Sequence, residues 1–126
     1  MQLLTDVMTI IQGLNLDGIV KSPSLVTGQN SIAVRTTATA PTEYMAGFTY
    51  PVGIQVLTQF ADKNEPMSLN ACYAIVDALN GKQGVLPTNK YKCISARCTT
   101  LPRYVETDSQ GRHVYTALFT FEIEIL

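Results

Sequence analysis

The sequence has few of the residues from which enzyme and metal sites are built. It contains one histidine, His113, and three cysteines, Cys72, Cys93 and Cys98. On a strand, the spacing of Cys93 and Cys98 places their side chains on opposite faces. That spacing fits neither a zinc knuckle nor a redox CxxC motif, and His113 completes no familiar metal-ligand spacing. We therefore expect a protein that is not an enzyme, binds no metal or cofactor, and keeps reduced thiols in the cytosol.

Charge and long apolar runs are also scarce. Charged residues make up 15% of the chain and the formal net charge is -1, so no general attraction to nucleic acid is expected. A typical soluble domain has about 25% charged residues. This deficit indicates either that other subunits cover part of the surface or that the surface is rich in uncharged polar residues. No apolar run reaches about 18 residues, so no membrane span is expected, and the start of the chain lacks the basic region of a secretory signal.

Two segments have apolar residues at helical spacing. The first covers residues 2–14. The second covers residues 66–80, with Pro66 in its first turn and Gly81 as a left-handed cap. Its expected apolar stripe consists of Leu69, Cys72, Tyr73, Val76 and Leu79.

Four segments alternate between apolar and polar residues and predict strands: 31–37, 50–60, 92–100 and 113–125. A short strand is also indicated within residues 18–21. The last has an aromatic inner face, on which Phe119 and Phe121 are expected to pack against the second helix. The Asp108–Gly111 segment between the last two strands is typical of a turn. The order α-β-β-α-β-β predicts one α+β domain over residues 1–126, with a mainly antiparallel four-stranded sheet and both helices on one face.

The segment from residue 38 to 49 has a composition that favours no regular secondary structure, yet it contains large apolar side chains. It is rich in small residues and contains Pro41 and Gly47, yet it also contains Tyr44, Met45 and Phe48. Loops seldom expose so much apolar surface without a use. We expect a partner-binding loop, with a loop folded back on its own core as the alternative.

Charged residues around the terminal hairpin are candidates for contacts with other subunits or with a ring lumen. They are Arg97, Arg103, Asp108, Arg112, Glu122 and Glu124. A second interpretation groups Lys90, Lys92, Arg97 and Arg103 into a basic stripe interleaved with Tyr91 and Tyr104. Such a combination can bind single-stranded nucleic acid.

The terminal hairpin also carries a family resemblance. The residues Pro102, Asp108, Gly111-Arg112, Tyr115-Thr116 and Phe119 form a pattern that resembles the C-terminal hairpin of tail terminators, the minor capsid or tail-completion proteins of tailed phages. The resemblance mainly covers residues 91–126.

This resemblance implies a structural protein of the virion, assembled in the host bacterial cytoplasm. It implies a ring, usually of six copies, at the head-proximal end of the tail tube. There the ring would stop tube polymerisation and join the tail to the head connector or stopper protein. DNA would pass through it without sequence-specific binding. The alternatives are another neck or head-completion protein, or a small nucleic-acid-binding or ligand-binding domain.

The first testable expectation concerns the thiols. All three cysteines should be reduced and no metal should be bound, since no pair or cluster has a suitable spacing. Intact mass under non-reducing conditions and elemental analysis of the purified protein measure both. A stoichiometric disulfide or zinc ion would overturn the expectation.

Overall fold

The computed structural model describes residues 2–37 and 49–126. The elements follow the order α1 (Gln2–Gln12), β1 (Ile19–Lys21), β2 (Ser31–Thr37), β3 (Thr49–Ala61), α2 (Met67–Leu79), β4 (Gly84–Val85), β5 (Tyr91–Thr107) and β6 (Arg112–Ile125). Neither of these helices is long and apolar enough to span a membrane. The candidate loop residues Tyr44, Met45 and Phe48 lie outside the described residues.

The strands form one six-stranded mixed sheet in the order β1-β2-β3-β6-β5-β4. β1 runs parallel to β2, and every other neighbouring pair is antiparallel. The α+β class is consistent with the sequence prediction, but the predicted four-stranded antiparallel sheet is wrong. β1 lies within residues 18–21, where the sequence indicates a short strand that the predicted sheet left out. β4 has two residues, which is too short for alternation to be recognised.

One face of the sheet carries the main core, and both helices pack on it. Phe119, Phe121 and Ile123 of β6 lie there with Ile54 and Val56 of β3. The helices contribute buried residues to the same cluster, namely Leu3, Val7 and Ile11 from α1 and Ala71, Cys72, Ile75, Val76 and Leu79 from α2. Helical and strand periodicities therefore meet in one apolar layer.

The buried face of α2 is rotated from the predicted stripe. Tyr73 is 44% exposed, whereas Ile75 and Ser68 are buried. Ser68 can be buried because its hydroxyl donates to the Thr58 carbonyl oxygen at 2.8 Å, and the Thr58 hydroxyl donates to the Ser68 carbonyl oxygen at 2.9 Å. A polar pair that satisfies itself can occupy a core position, and the apolar spacing did not reveal it.

A smaller cluster lies on the opposite face of the sheet. Ala33, Leu57 and Val114 are buried there beneath Leu25 of the β1–β2 connector. Gln59 holds that connector, because its side-chain amide donates to the carbonyl oxygens of Val26 and Gln29 at 3.0 and 2.9 Å. The connector thus covers part of β2 and β3 and the start of β6 on this face.

The aromatic face of β6 generates the second prediction. Phe121→Ala should reduce the free energy of unfolding by about 3–5 kcal/mol, because it leaves a cavity in the main core. Urea unfolding measures the loss. Glu122→Ala, which changes the exposed neighbour on the other face, is the matched control and should change stability by less than about 0.5 kcal/mol. A loss below about 1 kcal/mol for Phe121→Ala would contradict the assigned face.

Candidate assembly surface

The face of the sheet opposite the helices brings four of the predicted charged residues together. Arg97 pairs with Thr120 and Arg103 with Thr116, while Glu122 and Glu124 face Ser95 and Lys92 across the strands. Residues that are direct partners in an antiparallel ladder point to the same face. These side chains therefore form one polar surface, which we call the open face. Because Lys92 lies opposite Glu124, the surface is of mixed charge.

A chain of hydrogen bonds crosses the middle of the open face. Arg35 Nε donates to Gln55 Oε1 at 2.7 Å, and Gln55 Nε2 donates to Thr116 Oγ1 at 3.0 Å. The Thr116 hydroxyl in turn donates to the Val56 carbonyl oxygen at 3.0 Å. The chain links β2, β3 and β6 through side chains as well as through the backbone. Connected polar groups of this kind hold one another in place, so the open face is a preorganised surface.

The basic stripe considered as a single-strand binding site is not assembled. Tyr91 and Tyr104 pair with Ile125 and Tyr115, which puts both tyrosines on the helix side of the sheet. Arg97 and Arg103 lie on the open face. A single strand binds such a site when its bases stack on the aromatic side chains while its phosphates contact the basic ones, so both kinds of side chain must line the same groove. The two sets of side chains are separated by the sheet itself.

The turn between β5 and β6 is organised by Asp108. Its Oδ1 accepts hydrogen bonds from the backbone N–H groups of Gln110 and Arg112, both at 2.8 Å. Gly111 has a φ of 79°, which glycine adopts without strain. The backbone hydrogen bond from Arg112 is the main cause that lowers the pKa of Asp108 below its ordinary value of 3.8. Two residues of the family-like pattern, Asp108 and Gly111, therefore shape the turn.

Arg112 joins that turn to the other half of the sheet. Its Nε donates to Asn30 Oδ1 at 3.3 Å, and the same oxygen accepts from the Ala61 N–H at 3.3 Å. Arg112 also hydrogen-bonds the Gln110 side chain and lies 3.7 Å from Asp108 Oδ2. These contacts give Arg112 a structural role that spacing alone did not show.

His113 is held by a hydroxyl on one side of its ring and a carboxylate on the other. Its Nδ1 lies 2.8 Å from Thr107 Oγ1, which in turn lies 2.6 Å from the Tyr104 hydroxyl. Its Nε2 lies 3.5 Å from Asp62 Oδ2. Tyr104 also contacts Tyr115 edge-on, with ring centroids 5.7 Å apart. The arrangement links the two strands of the hairpin to the turn that precedes α2, which is a structural use of the lone histidine.

The expectation that Cys93 and Cys98 lie on opposite faces of their strand is wrong. Cys93 pairs with Ile123 and Cys98 with Phe119, so both side chains lie on the helix side rather than on opposite faces. A register shift between Cys93 and Ser95 adds the residue that changes the alternation.

Burial raises the pKa of Cys72 to about 12 and is the largest cause that raises the pKa values of Cys93 and Cys98. Protonated thiols are poor nucleophiles and poor metal ligands. Across residues 2–37 and 49–126, no group of three metal-ligating side chains comes together.

Sequence reasoning missed an apolar patch on β5, because the strand continues to Thr107 instead of ending near residue 100. Leu101, Tyr104 and Val105 are 62%, 54% and 47% exposed. We call these three residues the edge patch. Register shifts lie between Thr100 and Arg103 and between Tyr104 and Glu106, which breaks the alternation that would have revealed a strand.

The Asp108 turn generates the third prediction. The folded state lowers the pKa of this carboxyl, so ionised Asp108 stabilises the fold above about pH 4, and that contribution is lost as the pH falls through the lowered folded value. Asp108→Ala should therefore lower the melting temperature by a few degrees at pH 7, and the difference from the unaltered chain should shrink in acid.

Thermal unfolding across a pH series measures this difference. Glu106→Ala removes an exposed carboxylate from the same hairpin and is the control, which should change little at any pH. An Asp108→Ala defect of equal size at pH 7 and pH 2 would show that the carboxylate charge is not involved.

Comparisons with known proteins agree with the resemblance carried by the hairpin. A family model described as "Bacteriophage tail terminator protein" matches residues 21–125. Among solved structures, the chain is similar to one from "Virion of native gene transfer agent (GTA) particle", with a TM-score of 0.66, 14% identity and coverage of 91% of each chain. At that identity the likeness shows a shared fold. A search of curated proteins finds no match. The family match extends over almost the whole described sheet, and we conclude that the chain belongs to the bacteriophage tail terminator family, with a structural role in completing the tail.

Proposed function

We propose that this chain forms a ring, six copies in the number that the family resemblance implies, on the head-proximal end of a phage tail tube. The observation that carries the proposal is the family match over residues 21–125. The similar fold within a gene transfer agent virion supports a place in a particle. The partners are further copies of this chain, the tail tube protein, and the head connector or stopper protein.

The mechanism is binding without chemistry. A tube grows because each added layer presents the surface on which the next layer binds. A ring that binds the last layer with one surface, and presents a different surface outward, removes the next binding site. The outward surface then receives the connector. The six-stranded sheet and the hydrogen-bonded open face provide the rigidity that this role needs, because a preorganised surface loses little entropy on binding.

A non-enzymatic role is part of the same proposal. The three thiols have raised pKa values, and His113 is held by Thr107 and the Asp62 carboxylate. These groups stabilise the hairpin and core instead of meeting at a reactive centre.

The open face and the hairpin turn are the proposed contact surfaces. On the open face, exposed Arg97, Arg103 and Glu122 combine both signs of charge, and Lys92 lies opposite Glu124. A lining of mixed charge lets DNA pass, because tight phosphate binding requires several uncompensated basic groups. The turn from Asp108 to Arg112 projects at the end of the β5–β6 ladder, where it can contact a neighbouring component.

The fourth prediction tests termination. Purified chain added to polymerising tail tube protein should stop elongation, and electron microscopy should show a ring at one end of each tube. Because each tube has one growing end, the effect should saturate at about one ring per tube. A protein that merely sequesters free tube subunits would need to match their number.

The control for termination is the same amount of chain after thermal unfolding. Normal elongation with the folded chain present, or binding along the whole tube wall, would contradict a terminator. Binding to the connector with no effect on tubes would instead assign the chain to another neck protein. Affinity for single-stranded DNA that falls steeply with salt, without tube binding, would favour a nucleic-acid-binding domain.

A further inference from the structure

The outer edge of β5 changes at Cys98. Before that residue the edge is covered, because the Gly81 N–H donates to the Ala96 carbonyl oxygen at 2.7 Å and the Asn80 side chain accepts from the Cys98 N–H at 2.9 Å. From Thr99 to Thr107 no strand in the described part of the chain pairs with the outer side of β5. This open edge is roughly 30 Å long at the usual rise per residue.

The open edge is not suited to continue the sheet into another chain. Three of the four register shifts in β5 lie between Cys98 and Glu106, and Pro102 has no N–H to donate. Bulges and proline are the means by which natural sheets prevent edge-to-edge pairing. The edge patch of Leu101, Tyr104 and Val105 nevertheless exposes large apolar side chains. A partner here must therefore contact side chains rather than extend the backbone ladder.

A cavity of matching chemistry lies on the helix side of the sheet, beside β3 and the segment before β1. It has a volume of about 220 Å³ and lies between the segment before β1 and the start of α2. Its walls include four apolar side chains, those of Leu16, Phe60, Met67 and Ala71, and two carboxylates, those of Asp17 and Glu65. We call it the α2 cavity. An engineered apolar cavity of about 150 Å³ holds a benzene molecule, so this one has room for a leucine side chain.

The charged residues nearest Leu101 along β5 are opposite in sign to the carboxylates at the α2 cavity. Arg97 and Arg103 are exposed on the strand that carries Leu101, whereas Asp17 and Glu65 are exposed at the α2 cavity. Complementary charges around an apolar contact guide the orientation and speed of association. The positions are also suitable: Leu16 and Asp17 precede β1 at one side of the sheet, and the open part of β5 is at the other. A contact between two different surfaces repeats from head to tail and can close into a ring.

We infer that Leu101 of one copy docks in the α2 cavity of a second copy, with Arg97 and Arg103 facing Asp17 and Glu65. This contact rests on the ring of the proposed function and names the residues that build it. The occupant is a second copy because the chain itself carries both complementary halves, on opposite sides of one sheet.

The first test changes the docking side chain. Leu101→Asp should raise the dissociation constant for self-association at least about 30-fold, since a carboxylate would replace the apolar anchor and face two others. Sedimentation velocity over a concentration series measures this. Ile125→Asp is the matched control, because Ile125 is 58% exposed against 62% for Leu101 but lies at the far end of the ladder. It should associate like the unaltered chain.

A second test does not depend on the folding of that variant. Leu101→Cys and Asn70→Cys chains, mixed and mildly oxidised, should form a disulfide-linked pair between residue 101 of one copy and residue 70 of the other, because Asn70 lines the α2 cavity. The unaltered chain, treated in parallel, controls for its own cysteines. A chain with both changes should form a ladder of covalent oligomers that ends at the size of the ring.

Whether the unaltered chain stops tube growth distinguishes a failure of the Leu101 contact from a failure of the terminator function. If it stops tubes as a ring while Leu101→Asp associates normally, or while residues 101 and 70 do not link, this contact is overturned and the terminator function stands. A link between residue 101 of two copies would also overturn it, because that contact is symmetric. A chain that stays monomeric both free and on tubes would overturn the ring and this contact together.

Discussion

The burial of one face of β6 is the constraint on which the rest of the structure depends. This strand pairs with β3 on one side and β5 on the other over nearly its whole length. Its inner face places Phe119, Phe121 and Ile123 in the main core, so a shift of one residue would move all of them to the opposite face. The register of β6 is therefore the most strongly determined feature of the sheet. The β3–β6 ladder accordingly runs from Thr49 and Glu124 to Ala61 and Arg112 without an irregularity.

Irregularity is concentrated in β5 as a consequence. The β5–β6 ladder has four register shifts, and at each of them the extra residue belongs to β5. The edge strand can bulge because only one of its sides must match a partner over most of its length. Its outer half also lies beyond the point where the Asn80 side chain, at the end of α2, caps the Cys98 N–H. The same freedom that makes this half irregular leaves Leu101 and Val105 exposed.

The sequence was a good guide where alternation was long and a poor one where it was broken. The β6 pattern from residue 113 to 125 predicted its strand and its inner face, because thirteen consecutive residues keep one period. β5 was predicted to end near residue 100, since bulges around Leu101, Pro102 and Val105 destroy the period. The same effect moved Cys98 to the other face. β4 has only two residues and owes its pairing to β5, which no local pattern records.

The candidate surface was predictable only in part. Glu122 and Glu124 share a face by simple alternation, but the position of Arg97 and Arg103 beside them depends on bulges that the sequence does not announce. The turn within the family-like pattern was predictable from its residues, whereas the contacts of Arg112 were not. Asp108 and Gly111 shape the turn, and Arg112 ties it to Asn30. The pattern therefore marks a structured turn, which is also one of the proposed contact surfaces.

The proposed ring makes a demand on the sheet edges that a monomer would not. Two open sheet edges that paired through their backbones would add chain after chain, with nothing in the ladder itself to stop the series. Here β1 is three residues long and the outer half of β5 is bulged, so neither edge offers a long regular ladder. Contacts between such edges depend on side chains that fit at one angle. A fixed angle between successive copies is the geometric condition for closure, and closure gives an assembly of definite size.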